Sequence, residues 1–348
     1  MAHDFIVPTV DITPYVAGGT AVEKAAVAAA LDAACRSVGF IQIIGHGVPA
    51  AAISGLAGAM DDFFALSLEE KKRFVLPPSK NRGYSPPKSE SLSYSIGVDS
   101  VTRMNDFFEA FNVGASAADY PGSDLSTDDY ATNVWPSDVD GFETRVSVYF
   151  DEASRVANTL IRVFEDALGV ERGSLDSITD HSIDVMRMNN YALPEGEIEL
   201  GAELTGMGEH TDFGIVTVLW ADQVEGLQVL DSDGVWHDVS PADDAFLINL
   251  GDVAARLTND QWSSTLHRVK PPIVNGTIRR RRSAAFFHDG NADAVVGPLP
   301  HFVPEGEEPH YEPVTIKEHI VAKLSGSRAG KKNVSAVREA ARVNAAIL

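Results

Sequence analysis

Between Val22 and Val38 the apolar residues, mostly alanine, recur at three- and four-residue intervals, and a second helical run follows Pro49 through Leu66. Between them, Gly39-Phe40-Ile41-Gln42-Ile43-Ile44 is a short apolar run closed by Gly45-His46-Gly47, the pattern of a strand ending in a turn. Ser67 and Glu70 have the spacing of a capping box, which predicts a short helix through Lys71 and Lys72. The pattern then breaks. Residues 76–136 carry Pro77-Pro78, Pro86-Pro87 and an Asp-rich stretch near 119–129, which predict long, lid-like loops and short extended pieces. A long helix is predicted from Val139 to Leu168, with Phe142, Val146, Tyr149, Phe150, Val156 and Leu160 on one face and Gly169 as its stop.

From Ile183 to Phe287 the period changes to two. Val185–Tyr191, Gly214–Trp220, Gly226–Leu230, Val235–Val239, Ala245–Leu250, Ser264–Val269 and Arg281–Phe287 all read as short strands. Their regular spacing predicts a jelly roll, in which a ligand lies between two sheets and alternate residues project toward it. The expected class is therefore α+β with a mainly β core and supporting helices. No repeat or linker divides the chain, so a single domain over residues 1–348 is expected. Within it, 1–136 would form a helical N-terminal region with lid-like loops, 183–290 the jelly-roll core, and 314–348 C-terminal helices.

Composition narrows the partners. The 348 residues are 44% hydrophobic, enough for a sizeable core, and carry a net charge of −22, which opposes binding to nucleic acid or to an anionic membrane. The lone cysteine, Cys35, cannot form an intrachain disulfide and reads as a buried, inert thiol. The N-terminal stretch MAHDFIVPTVDI lacks the basic and apolar regions of a secretory signal, and no apolar run approaches the roughly 18–20 residues needed to span a bilayer. A cytoplasmic protein without an obligate protein partner is expected.

The sharpest chemical signal is His210-Thr211-Asp212, followed 55 residues after Asp212 by His267. In an extended segment residues i and i+2 point the same way, so His210 and Asp212 can meet one metal, with His267 arriving from another strand. This is the composition of a facial triad of two histidines and one carboxylate, which leaves adjacent positions open and suits Fe(II) and dioxygen better than a closed zinc site does. An H-x-D triplet also arises by chance. A second constellation supports the metal reading: Arg281 and Ser283, two apart on one strand, can present a guanidinium fork and a hydroxyl to one carboxylate. Arg281 belongs to the run Arg279–Arg282, and its neighbours read as a solvated basic strand end. His46, in its glycine turn, reads as a structural hydrogen-bonding residue. His237, His288 and Glu209 read as surface or supporting groups.

The chain resembles the isopenicillin N synthase-like family of Fe(II), 2-oxoglutarate-dependent dioxygenases over nearly its whole length. The resemblance rests on VPTVDI (7–12), GFIQIIGHGV (39–48), RGY (82–84), HTDFG (210–214), GLQVL (226–230), NLGD (249–252), LHRV (266–269) and RRSAAFF (281–287), in that order. It implies a distorted double-stranded β-helix, an iron site at His210, Asp212 and His267, and an anchor for the 2-oxoglutarate carboxylate at Arg281 and Ser283. Arg187-Met188-Asn189-Asn190-Tyr191 looks like the family's R-x-N-Y-Y strand, with Asn190 in place of the first tyrosine, and implies that Asn189 and Tyr191 face the co-substrate. Phe287 matches a position that lines the family's substrate pocket. Tyr94 and Phe107 lie in variable segments that wall that pocket and would give it partly apolar contacts.

The implied enzyme couples oxidative decarboxylation of 2-oxoglutarate to two-electron oxidation of a small organic molecule, using O2 and releasing succinate and CO2. Two alternatives stay open here. One is an iron oxidase like isopenicillin N synthase itself, which uses O2 without 2-oxoglutarate. The other is a non-catalytic jelly-roll binding protein.

Overall fold

The computed structural model describes residues 5–87, 89, 92–96, 108–192, 206–271, 273–274, 277–329 and 333. Strand β1 (Thr9–Asp11) leads through a single helical turn, α1 (Thr13–Val16), into α2 (Ala21–Ser37), β2 (Phe40–Ile44), α3 (Ala50–Phe64) and α4 (Leu68–Lys72). β3 (Gly83–Ser85) and β4 (Glu109–Gly114) precede the long helix α5 (Phe142–Leu168). The strand-rich part holds β5 (Val185–Tyr191), β6 (Met207–His210), β7 (Val216–Ala221), β8 (Leu227–Leu230), β9 (Trp236–Asp238) and β10 (Phe246–Leu250). The short helix α6 (Asp252–Leu257) is followed by β11 (His267–Val269), the hairpin β12 (Ile273–Val274) and β13 (Thr277–Ile278), and β14 (Arg281–His288). β15 (Val295–Val296), β16 (Val314–Thr315) and helix α7 (Ile316–Ala329) complete the order.

Among the described residues eight strands form the main sheet in the order β1-β2-β10-β7-β14-β5-β4-β3, and β6-β11-β8-β9 form a smaller one. This is the jelly roll expected from the strand spacing, distorted by the unequal sheets. Strands from the first third of the chain therefore share a sheet with those from the β-rich part. Local chemistry explains the helix boundaries. Thr20 with Glu23 and Ser67 with Glu70 form reciprocal capping boxes at the starts of α2 and α4. Gly169, at φ +66°, ends α5 with the left-handed turn that favours glycine. Val146, Tyr149, Val156 and Leu160 of α5 are buried in the main core, and Phe150 meets Phe286 of β14 edge-on at 5.0 Å between ring centres. Cys35 is buried in the same core, and burial pushes its thiol well above the ordinary range.

The short extended pieces expected within residues 76–136 are β3 and β4, which extend the main sheet beyond β5. All six residues of β4 are buried, including Glu109, which pairs with Lys71 at 2.8 Å, and Asn112. Polar residues on the interior of a strand hide its alternation. The structure corrects one sequence expectation, the strand list, which lacked β6; this strand delivers His210 at its last position.

Candidate active site

The antiparallel register of β6 and β11 sets His210 opposite His267, with ring centres 4.2 Å apart. Each ring is oriented by its own backbone. His210 Nδ1 lies 2.8 Å from the Gly208 carbonyl oxygen and His267 Nδ1 3.0 Å from that of Thr265. A carbonyl only accepts, so each Nδ1 carries the proton and each Nε2 offers its lone pair. Burial, reinforced by His267, holds His210 well below the usual imidazole range, so it is neutral and able to ligate at neutral pH.

Asp212 supplies the third donor. Its Oδ1 lies 3.9 Å from His210 Nε2 and 3.8 Å from His267 Nε2. Its Oδ2 accepts from Thr217 Oγ1 of β7 at 2.5 Å and from Asn249 Nδ2 of β10 at 2.6 Å. The imidazoles thus come from the smaller sheet, while two strands of the main sheet fix the carboxylate. Among the described residues this is the one group of three such side chains able to hold a metal ion; all three are buried and their ligand atoms lie within 4.8 Å of one another.

The loop carrying Asp212 is held from below. The N–H groups of Asp252 and Val253, at the start of α6, donate to the carbonyls of Asp212 at 2.9 Å and Gly214 at 3.0 Å. The approach requires glycine at position 251, where a Cβ would stand 2.2 Å from the Gly214 carbonyl oxygen. The Asp252 carboxylate accepts from Ser264 Oγ at 2.7 Å and pairs with Lys323 of α7 at 2.7 Å. Lys323, only 1% exposed, also donates to Thr211 Oγ1 at 3.2 Å. Burial alone would raise the Asp252 pKa, but Lys323 and His319 outweigh it and keep the carboxyl ionised.

On the main sheet, Arg281 of β14 lies opposite Tyr191 of β5 and Ser283 opposite Asn189. Arg281 is 2% exposed, with Nη1 3.4 Å from Ser283 Oγ, Nε donating to the Val224 carbonyl at 3.2 Å, and its guanidinium 5.2 Å from the Tyr191 ring centre. Asn189 Nδ2 lies 3.5 Å from Ser283 Oγ. These four residues and the His-Asp-His cluster line one cavity of about 1000 Å³, its open mouth included. Arg280 and Arg282 lie on the opposite face. They are not simply solvated, because both pair with Asp61, at 2.6 and 2.8 Å.

The other predicted residues fall differently. Phe287 lines the cavity; Tyr94 does not, and Leu92 from the same turn takes that place. Phe107 lies outside the described residues. His46 makes structural hydrogen bonds, to the Asp244 carbonyl and from the Val48 N–H, both at 3.1 Å. His237 pairs with Asp231, His288 with Asp184, and Glu209 turns to Arg268. Sequence reasoning missed the supports Thr217, Asn249, Asp252 and Lys323, and the cavity-lining Arg187 and Asn112. The NLGD motif contains two of them, but only the folded loop shows what they hold.

Known proteins resemble this chain over most of its length. Residues 7–138 match the family model described as the non-haem dioxygenase in morphine synthesis N-terminal region, and residues 183–290 match the 2OG-Fe(II) oxygenase superfamily. The chain is 33% identical over 319 residues to the 2-oxoglutarate-Fe(II) type oxidoreductase hxnY of Emericella nidulans, covering 90% of this chain and 88% of that one. It is 31% identical to the clavatol oxidase claD of Penicillium crustosum, over 93% of this chain and 97% of the relative. The crystal structure of a full-length Neurospora crassa protein in complex with alpha-KG and thymine superposes with a TM-score of 0.80 at 25% identity, covering 93% and 98% of the two chains. The chain belongs to the 2-oxoglutarate- and Fe(II)-dependent oxygenase superfamily. It is a dioxygenase that uses Fe(II), 2-oxoglutarate and O2, and the reading without 2-oxoglutarate is not favoured.

Proposed function

We propose that His210, Asp212 and His267 hold the Fe(II) ion, that Arg281 and Ser283 bind the distal carboxylate of 2-oxoglutarate, and that Asn189 and Tyr191 flank it. The observation that carries this reading is the division within Asp212. One oxygen is occupied by Thr217 and Asn249, while the other faces the two imidazole nitrogens at 3.8 and 3.9 Å. The donor set fits the ion: two neutral imidazoles and one carboxylate leave a divalent cation net positive, suited to an anionic 2-oxo acid. Bound there, iron supplies the activation of dioxygen that couples decarboxylation of the 2-oxo acid to oxidation of the substrate.

The remaining work falls to the chain. The Arg281 fork meets a carboxylate through two parallel hydrogen bonds, and the Val224 carbonyl and Tyr191 ring hold the guanidinium in place. Buried walls exclude water and fix where the substrate lies relative to the iron. Phe287, on the inward face of β14, is assigned to the substrate side. The substrate is a small organic molecule, a reading supported by the thymine found in one structural relative.

The test is anaerobic loading with Fe(II), addition of 2-oxoglutarate, and measurement of O2 uptake and succinate. The expected result is O2 uptake that depends on 2-oxoglutarate and is matched by succinate. O2 uptake that proceeds without any 2-oxo acid would instead place a carboxylate of the primary substrate on Arg281.

A further inference from the structure

The inward row of β14 does not end with Phe287. Arg281, Ser283, Ala285, Phe287 and Asp289 follow one another at intervals of two and all line the cavity, so Asp289 stands at the opposite end of the row from the co-substrate anchor. Arg187, opposite Ala285, belongs to the middle of the row. Where the strand ends, the His288 carbonyl accepts from the Ile215 N–H at 3.0 Å, which brings Asp289 against the loop that follows Asp212. The approach requires glycine at position 214, where a Cβ would stand 2.5 Å from the Asp289 Cα. Asp289 is only 9% exposed, yet among the described residues no hydrogen bond or ion pair reaches its carboxyl, and neither oxygen is sealed off from the cavity. Its neighbour Asp184, by contrast, has His288 Nδ1 at 2.9 Å. Burial, reinforced by Asp184 and Asp212, pushes the Asp289 pKa well above the ordinary carboxyl range. Arg82 opposes that shift from a distance, its guanidinium committed to the carbonyls of Asn81 at 3.1 Å and Ala115 at 2.7 Å.

We propose that Asp289 is a recognition group for the primary substrate, and that this substrate is a small organic cation, a protonated amine on an apolar body. The assignment rests on the reading above, in which Arg281 holds 2-oxoglutarate. A buried carboxyl without a partner is costly, and a cation bound beside it removes that cost while restoring the ionised form. A neutral hydroxyl would satisfy the hydrogen bond but leave the negative charge uncompensated, and a carboxylate would add to it. The reaction end supplies no counter-charge once loaded, because the charges of Fe(II), Asp212, the 2-oxoglutarate dianion and Arg281 cancel. Phe213, Phe287, Ile320 and Leu324 give the cavity apolar walls, and aromatic rings accommodate an ammonium group as well as hydrocarbon.

Calorimetry on the full-length protein, loaded with Fe(II) and 2-oxoglutarate without oxygen, tests this with three probes that share one ring: cyclohexylmethylamine, cyclohexylmethanol and cyclohexanecarboxylate. The amine should bind roughly 10-fold or more tighter than the alcohol, and the carboxylate more weakly than either. Asp289→Asn, which keeps the shape and removes the charge, should bring the amine and the alcohol to within about twofold of each other. Asp289→Ser, whose smaller side chain relieves the contact with Gly214, should do the same. The affinity for 2-oxoglutarate should stay within about twofold in both variants, because Asp289 lies at the other end of the row. Alcohol or carboxylate bound as tightly as the amine, no detectable binding of the amine, or a preference for the amine that survives either substitution would overturn the proposal. So would loss of 2-oxoglutarate affinity in both variants, which would make Asp289 a support of the co-substrate end. Failure of the unmodified protein to bind 2-oxoglutarate would instead overturn the reading of that end.

Discussion

Arg281 and Arg187 lie on neighbouring strands of one sheet and line the same cavity, yet their surroundings differ. Arg281 is held by a backbone carbonyl, a tyrosine ring and Ser283, two residues along its own strand. Arg187 is placed among Asn189, Phe108 and β4, which lies between β5 and the edge strand β3. The first arrangement is made by the central pair β5 and β14 with the β7–β8 connection that carries Val224; the second depends on the strand next to the sheet edge. The difference separates one end of the cavity, anchored in central strands and in α6, from another built on more peripheral elements. Changes at one end should leave the other intact.

The largest effect is expected at Asp212. Iron at 100 times its dissociation constant should stabilise the unmodified protein by about 2.7 kcal/mol, and chelation should remove that gain. Asp212→Ala should abolish both the thermal shift and turnover, while the apo protein still folds; a full iron-dependent shift in this variant would remove Asp212 from the ligand set. Next comes Arg281→Lys, which keeps the charge but loses the fork. It should weaken 2-oxoglutarate by about 1–3 kcal/mol, roughly 5- to 150-fold in the apparent constant, and leave that of the primary substrate nearly unchanged. Steady-state titration of both ligands tests the separation, and equal losses in the two constants would break it.

Asn249→Ala and Thr217→Val leave every metal-binding atom in place but free Asp212 Oδ2. Iron affinity should fall by about 10- to 100-fold in anaerobic titrations, with unchanged affinity among the outcomes that would deny these residues an orienting role. The smallest effect is expected in the cavity wall supplied by α7. Leu324→Ala, in the partly buried wall supplied by α7, should cost roughly 1 kcal/mol of stability and leave iron and 2-oxoglutarate constants within about twofold. A shift in either constant beyond that would show the two ends to be coupled.

The same division explains what was legible in the sequence. Arg281 and Ser283 are spaced by two residues on β14, so the pleat itself brings their side chains to one face; His210 and Asp212 have the same spacing, but Asp212 follows the end of β6 and is held by the start of α6. His267 needed only a strand to carry it. Asn112 gave no such signal, because β4 is buried on both faces and its polar residues broke the alternation on which strand prediction depends. Tyr94 falls outside the cavity for a related reason: it lies in a helical turn that presents Leu92 to the cavity instead. Lys323 could not be read at all. Its partner Asp252 is remote in sequence, and a lysine on a terminal helix looks like an ordinary solvated charge until the helix docks.

That buried lysine has a consequence for the order of assembly. Removing one member of a buried ion pair typically costs about 3–5 kcal/mol, because the other charge is left without compensation. Until α7 docks, Asp252 carries a negative charge under Thr211, the residue between two of the proposed iron ligands, without its ammonium partner. The same docking brings Ile320 and Leu324 into the cavity wall. Docking of α7 thus supplies both a wall of the chamber and the cation beneath the proposed metal-binding loop.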